Sequence, residues 1–587
     1  MSARIALAAV IFSAVFPAGA AAQDALPPPL GRYDFESTTL EGDPFGGTIH
    51  IVETDSGWGG RLLTTVRPPV PLQSVTLEGS ELTVSAQLTP SLRVTFHGTI
   101  AGSEYSGMWV IGDRTEPFEA RRTATDPDNN LEPAPCEVAR VQGQARCGTF
   151  HVYEDRAGAT GRKIPLNIVL LPATGGALEP DPLFTFAGGP GQATTDGAGS
   201  NAQRFARIRE KRDIVMVDQR GTGGSNGLPC EFTTPKERAL VLLAWVFPPE
   251  AVVACREQLE SRADLRLYTT TIAAHDIDEV RAWLGYERIN LYGGSYGTRA
   301  VLEYLRLYPD RVRTATLRGV IAPSGNLALD NPRDAQASLE RLFADCAEDS
   351  ACGAAYDRLQ RKLNTVLLRL ADEPGSVRVY DGQTADTVDI EVTRDAFGGG
   401  MRRLLMDTRS QRFVPMIIER AFNGDLTPFG PAVGATLSVV RSLSFGMALS
   451  VFCAEDYGEL TSRDIDYETA GTFLGPAAAN MLRGACEVWP QGESPADFHE
   501  PVHADAPVLL LSGKLDPTTP PRWGDEVAST LPHSLLVVMP GISHSPFPRC
   551  ALSIMADVVA AGSVDGVDTS CVADLERPPF VVSGARE

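Results

Sequence analysis

The sequence predicts an α/β fold: a mostly parallel sheet with a helical lid, preceded by a small all-β domain. Three observations predict it. From Cys136 onward continuous apolar runs alternate with helical patterns, as strands covered on both faces do. Before Arg122 the runs are short and alternate in polarity. Between one apolar run and one helical segment stands Gly293-Gly294-Ser295-Tyr296-Gly297.

The chain has 587 residues, more than the ~100–200 typical of one domain. Its formal net charge of −22 argues against nucleic acid or an anionic membrane surface as partner, since both would repel it. Residues 1–22 read as a secretory signal, with Arg4, an apolar stretch over 5–16, and Ala20-Ala21-Ala22 before Gln23. The stretch is short for a membrane span, so no membrane insertion is expected after cleavage. The expected location is secreted or periplasmic.

Residues 31–125 read as a small antiparallel β domain, a sandwich or open barrel. Thr48-Ile49-His50-Ile51-Val52, Leu82-Thr83-Val84-Ser85-Ala86 and Leu92-Arg93-Val94-Thr95-Phe96 alternate, and turns such as Gly57-Trp58-Gly59-Gly60 separate them. Asp126-Pro127-Asp128-Asn129-Asn130, followed by Pro133 and Pro135, reads as a linker. Residues 136–325 form the first part of the α/β core, with strands expected at 165–171, 183–187, 214–218, 289–292 and 315–320. A helix over 273–284 is closed by Gly285. Over 326–441 helical patterns such as 339–346 and 356–370 dominate, which suits a cap or lid. Residues 442–587 return to the core, with strands at 508–511 and 535–539.

Strand, Gly-x-Ser-x-Gly, helix is the nucleophile elbow of an α/β-hydrolase. The serine stands on a tight turn that lifts its hydroxyl off the sheet, and the flanking glycines leave room for strand and helix. Val301, Leu302, Leu305 and Tyr308 share one face of the following segment, and Pro309 stops it. A serine hydroxyl needs a base, and the base needs an orienting carboxylate. On this scaffold both follow late strands in the order Ser, acid, His. Asp516 follows the 508–511 run and His544 follows the 535–539 run, so Ser295, Asp516 and His544 are the expected catalytic residues. The oxyanion donors are expected to be the N–H groups of Tyr296 and of Gly189 in Ala187-Gly188-Gly189-Pro190-Gly191, with Gly188 or Gly191 as alternatives. The loop lacks the Lys-Ser/Thr ending of a phosphate-binding loop.

Ten cysteines suit an exported, oxidised protein. The simplest pairing joins neighbours: Cys136 with Cys147, Cys230 with Cys255, Cys346 with Cys352, Cys453 with Cys486, and Cys550 with Cys571. No spacing suits a zinc site, and the chemistry needs no metal or organic cofactor.

Together these residues resemble the proline iminopeptidase and tripeptidyl aminopeptidase family of α/β-hydrolases (serine peptidase family S33). The resemblance is carried by Gly188-Gly189-Pro190-Gly191, Asp218-Gln219-Arg220-Gly221-Thr222-Gly223, Asn290 to Arg299 around the elbow, and Gly513-Lys514-Leu515-Asp516-Pro517-Thr518-Thr519-Pro520. Ala187 stands where members often have His, and Ser543 where many have Gly. The resemblance implies a serine exopeptidase acting on peptides with a free N-terminus, which requires an anion for the substrate ammonium. Glu455, in Cys453-Ala454-Glu455-Asp456, is the candidate. Arg220 reads as a structural partner of buried carbonyls or carboxylates. A carboxylesterase on the same scaffold is the alternative, and a non-enzymatic binding protein is disfavoured by the intact Ser295, Asp516 and His544.

Overall fold

The computed structural model describes residues 30–582 apart from 39–43, 55–56, 65–66, 90–91, 103, 124–128, 130–132, 142–143, 159, 177, 231–242, 244–248, 381–386, 438–442 and 458–459. The signal-peptide expectation and most of the expected linker lie outside the described residues. The chain divides into two compact units, residues 1–61 with 71–130, and 62–70 with 131–587.

The N-terminal strands are β1 (Gly31–Thr38), β2 (Pro44–Thr54), β3 (Gly57–Thr64), β4 (Arg67–Glu78), β5 (Glu81–Thr89), β6 (Leu92–Ala101), β7 (Glu104–Ile111) and β8 (Arg114–Thr123). They form a closed antiparallel barrel rather than a sandwich or open barrel, because β1 pairs with β8 as well as with β2. Closure removes both free sheet edges. Inward positions carry aromatics that meet edge to face, Phe35 on Phe96 at 5.1 Å and Tyr105 on Phe118 at 4.8 Å between ring centres.

The second unit is built on a nine-stranded sheet in the order β19-β18-β15-β14-β12-β13-β11-β10-β9. Its strands are β9 (Ala134–Cys136), β10 (Ala145–Tyr153), β11 (Lys163–Leu171), β12 (Leu183–Phe186), β13 (Ile214–Val217), β14 (Ile289–Gly294), β15 (Val312–Arg318), β18 (Val508–Gly513) and β19 (Ser534–Met539). From β13 to β19 neighbours run parallel, whereas β9, β10 and β11 pair antiparallel at the other edge. Every residue of β12, β13 and β18 is buried, which is why these strands read as unbroken apolar runs rather than alternating ones. The helix Thr270–Leu284 ends on Gly285 at φ 81°, a left-handed cap suited to glycine.

Between β15 and β18 lies the helical insertion. It also holds a two-stranded sheet, β16 (Gly375–Tyr380) and β17 (Thr387–Val392), that the sequence reading missed. Val377, Val379, Ile390 and Val392 are its buried alternate positions. The helices also continue past residue 441, where a return to the core was expected. Phe445–Glu455, Ser462–Thr469 and Ala477–Val488 all precede β18. The first of these is buried nearly all round, so its apolar run resembles core strand in sequence.

Candidate active site

Ser295 follows the last residue of β14 and precedes the helix Tyr296–Leu307. Its backbone sits at φ 56°, ψ −125°, a left-handed value that is costly for a residue with a side chain. Three bonds hold it there. Its N–H donates to the Arg318 carbonyl at 2.9 Å, and its carbonyl accepts from the Thr298 N–H and hydroxyl at 2.8 and 2.7 Å. The flanking glycines are dictated by space: a Cβ on Gly293 would lie 2.3 Å from the Gly297 carbonyl oxygen, and one on Gly297 would lie 2.5 Å from that of Phe186.

Asp516 lies just beyond β18 and His544 beyond β19, at the same edge of the sheet as Ser295. His544 Nδ1 is 2.7 Å from Asp516 Oδ2. The other carboxylate oxygen accepts from the backbone N–H groups of Thr518 at 2.8 Å and Thr519 at 2.9 Å, while the Thr519 hydroxyl donates to Oδ2 at 2.7 Å. Burial alone would raise the Asp516 pKa. The facing imidazole and the Thr519 donors outweigh it and hold the carboxyl at about 2. The imidazole also lies against Gly319, where an added Cβ would come within 3.2 Å of its Cε1. Ser295 and His544 line one cavity. No hydrogen bond joins their side chains, a common state of such pairs without substrate.

Gly189 lines this cavity and also a second, mostly apolar one, as do Ser295, Arg402 and Thr518. A Cβ on the adjacent Gly188 would lie 3.2 Å from Ser295 Cβ, so the loop runs directly against the serine. Tyr296 opens its helix, and its N–H therefore has no acceptor within that helix.

Glu455 is not in the site. Its carboxylate is fully buried and lines neither cavity. It accepts from the Thr270 N–H at 2.8 Å and hydroxyl at 3.0 Å, and lies 3.5 Å from the Arg299 guanidinium. The Thr270 hydroxyl in turn pairs with the Tyr296 hydroxyl at 2.7 Å. Asp456 takes both ends of the same guanidinium, at 2.9 and 3.0 Å. Arg299 on the elbow helix claims both carboxylates and leaves neither for a ligand. Burial pushes the Glu455 carboxyl up to about 7 despite Arg299. Among the described residues lining the apolar cavity, Asp395 is the one carboxylate.

Arg220 is fully buried and structural. It bonds both oxygens of Asp276, at 2.6 and 2.8 Å, and the carbonyls of Glu154 and Leu267, at 3.0 and 2.9 Å. The ten cysteines form the five neighbouring pairs, 136–147, 230–255, 346–352, 453–486 and 550–571. Among the described residues no cluster of His, Cys, Asp and Glu could hold a metal ion. Residues missed in the sequence are Gly319, Asp395, Arg402 and Arg403. None belongs to a local motif, and only the fold brings them to the serine.

A strained serine on a strand-to-helix turn, and an imidazole oriented by a buried carboxylate over the same cavity, can carry out acyl transfer through a serine. The α/β-hydrolase family model matches residues 186–383, and the model for TAP-like proteins matches residues 471–571. The protein is a serine hydrolase of the α/β-hydrolase fold. Serine protease Hip1 of Mycobacterium tuberculosis is 26% identical over 476 residues, covering 74% of this chain and 88% of Hip1. Tripeptidyl aminopeptidase of Streptomyces coelicolor is 29% identical over 206 residues, 30% of this chain and 36% of that protein. Proline iminopeptidase of Xylella fastidiosa is 28% identical over 139 residues, 24% and 32% of the two chains. The matches support a likeness to the α/β-hydrolase serine peptidases that include the proline iminopeptidases and tripeptidyl aminopeptidases.

Proposed function

We propose that the protein is an exported serine exopeptidase that releases N-terminal amino acids or short peptides through an acyl-enzyme. Ser295 attacks the scissile carbonyl while His544 takes its proton. The N–H groups of Gly189 and Tyr296 hold the oxyanion. His544 then protonates the leaving amine, and water releases the acyl group. Asp516 fixes the imidazole tautomer and stabilises the imidazolium. The observation that carries this reading is the 2.7 Å pair of His544 and Asp516 over the cavity that Ser295 also lines.

The apolar cavity suits the acyl part of the substrate, and with Glu455 withdrawn into the fold, Asp395 is the group in it that can meet a free ammonium. Asp395 is 39% exposed, so it is reachable, and it shares a 2.8 Å ion pair with Arg394. Five disulfides support export to an oxidising compartment.

The test compares an unblocked aminoacyl or tripeptidyl anilide, its N-acetylated form, and a short nitrophenyl ester, for the wild type and Ser295→Ala. The expected result is turnover of the unblocked anilide, loss of it on acetylation, and no turnover of any substrate by the variant. Turnover of the ester alone would make the protein a carboxylesterase. An unchanged rate for Ser295→Ala would end the assignment.

A further inference from the structure

The two cavities that meet at Ser295 differ in charge. The one that also contains His544 is lined, among the described residues, by Arg204, Arg318, Arg402, Arg403 and Arg409, against two carboxylates, Asp196 and Asp407. Five guanidinium groups thus outnumber two carboxylates among its described lining residues. Burial, and then the charge of Asp218, raise the Asp196 pKa. Asp407 is turned to its own loop, where it accepts from the N–H groups of Arg409 and Ser410 at 2.9 and 2.8 Å.

Two of these arginines are fixed in place. Arg402 donates to the Thr518 hydroxyl at 3.1 Å and to Asn331 at 3.4 Å, and its Nε is buried with no acceptor. Arg318 donates to the His544 carbonyl at 3.1 Å and lies 4.8 Å over the Phe547 ring; its Nε is likewise buried without an acceptor. Burial lowers Arg402 to about 10, even with Asp516 nearby. Burial and the like charge of Arg402 lower Arg403 to about 9. Both remain cationic at neutral pH. A bound anion would give the buried Nε of Arg402 and of Arg318 an acceptor.

The chemistry assigns the cavity a side. In acyl transfer the imidazole hands its proton to the leaving amine, so the leaving peptide lies beside the imidazole. His544 lines the cationic cavity and not the apolar one. On the exopeptidase reading above, we infer that this cavity is a carboxylate-binding site for the leaving peptide, with Arg402, Arg403 and Arg318 as its donors. The carboxylate is either a side chain next to the cut bond or the C-terminus of a short substrate.

The experiment joins one unblocked acyl part to four leaving dipeptides: alanyl-alanine as free acid, its amide, glutamyl-alanine amide and lysyl-alanine amide. The expected result is a kcat/KM about tenfold or more above the alanyl amide for a carboxylate-bearing dipeptide, the lysyl amide being poorest. A gain for the free acid alone identifies the C-terminus as the ligand, and a gain for the glutamyl amide alone identifies the side chain. In Arg403→Gln the preference should fall to within about threefold, and Arg403→Lys should retain most of it. The wild-type series decides the matter even where a variant fails to fold. Hydrolysis of all four dipeptides at rates within about threefold overturns the inference and leaves the exopeptidase reading standing. Turnover of a nitrophenyl ester with no cleavage of any of the four overturns both.

Discussion

Gly319→Ala should damage catalysis without replacing any group that takes part in the proposed reaction. Gly319 follows β15 with φ +64°, and a Cβ there would lie 2.9 Å from Thr519 Oγ1, 3.2 Å from His544 Cε1 and 3.4 Å from His544 Nδ1. Alanine in this backbone region costs about 1 kcal/mol against glycine. Relief of the contacts requires the Thr519 hydroxyl and the imidazole to move by a few tenths of an ångström. Both belong to one bonded group, since Thr519 Oγ1 is 2.7 Å from Asp516 Oδ2 and 3.1 Å from His544 Nδ1. A misplacement of ~1 Å costs about a hundredfold in rate, so roughly tenfold is expected here, in kcat with KM little changed. Gly566→Ala provides the control: its φ is +69°, and an added Cβ has nothing within 4 Å. That variant should lose about 1 kcal/mol in urea unfolding and keep its kcat/KM. Steady-state kinetics on the unblocked anilide, with the rate of fluorophosphonate labelling at Ser295, checks both. A kcat for Gly319→Ala within twofold of wild type would refute the positioning argument.

Asp516→Asn should keep the fold and lower kcat by about 10⁴-fold, because an amide at that position favours the wrong imidazole tautomer. The same carboxyl sets an acid limit. Held at about 2 when folded against 3.8 unfolded, it contributes ~2 kcal/mol above pH 4, lost as pH falls through 2, so wild-type and Asn-variant stabilities should converge over that window in urea titrations. Glu455 has the opposite sign. With its folded pKa raised to about 7 from 4.5, its stabilising effect is complete below pH 4.5 and is lost as pH rises through 7. Glu455→Gln should therefore flatten the fall in melting temperature between pH 5 and 8, and a fall as steep as wild type would place the effect elsewhere. Replacing Cys453 and Cys486 with alanine removes the tie between the helices Phe445–Glu455 and Ala477–Val488, which supply Phe452 and Leu482 to the apolar cavity. Stability should fall by ~2–4 kcal/mol and KM for the unblocked anilide should rise.

What could be read in the sequence was local. The elbow and the Asp516 loop each follow a run buried nearly throughout, and the His544 loop follows an apolar run on a half-buried edge strand, so strand and loop are marked within about ten residues of chain. The sequence also marked the cysteine pairs by proximity. The insertion gave weaker signals for a physical reason: its helices bury faces against one another and against the core at angles that no local period records. Asp395, Arg402 and Arg403 sit on one such helix, Arg394–Met406, and reach the cavities that Ser295 lines only through the fold. The alternation of Val377, Val379, Ile390 and Val392 was a usable strand signal, obscured by the helical patterns on either side.

Glu455 shows how a residue can be placed correctly and its partner missed. The sequence located a carboxylate pair between the lid and the acid-bearing strand, and the need for an ammonium ligand suggested a use for it. The decisive residue was Arg299, four positions after Ser295 on a helix whose inner face carries Val301, Leu302 and Leu305. A guanidinium in such a helix, fully buried, must find carboxylates inside the protein. Asp456 and Glu455 answer that demand. They fix the elbow helix from behind, and through Thr270 they fix Tyr296, whose N–H is one of the two proposed oxyanion donors. The same carboxylate thus serves the site by holding its frame, and in the proposed reaction the substrate ammonium is left to Asp395, which lines the apolar cavity.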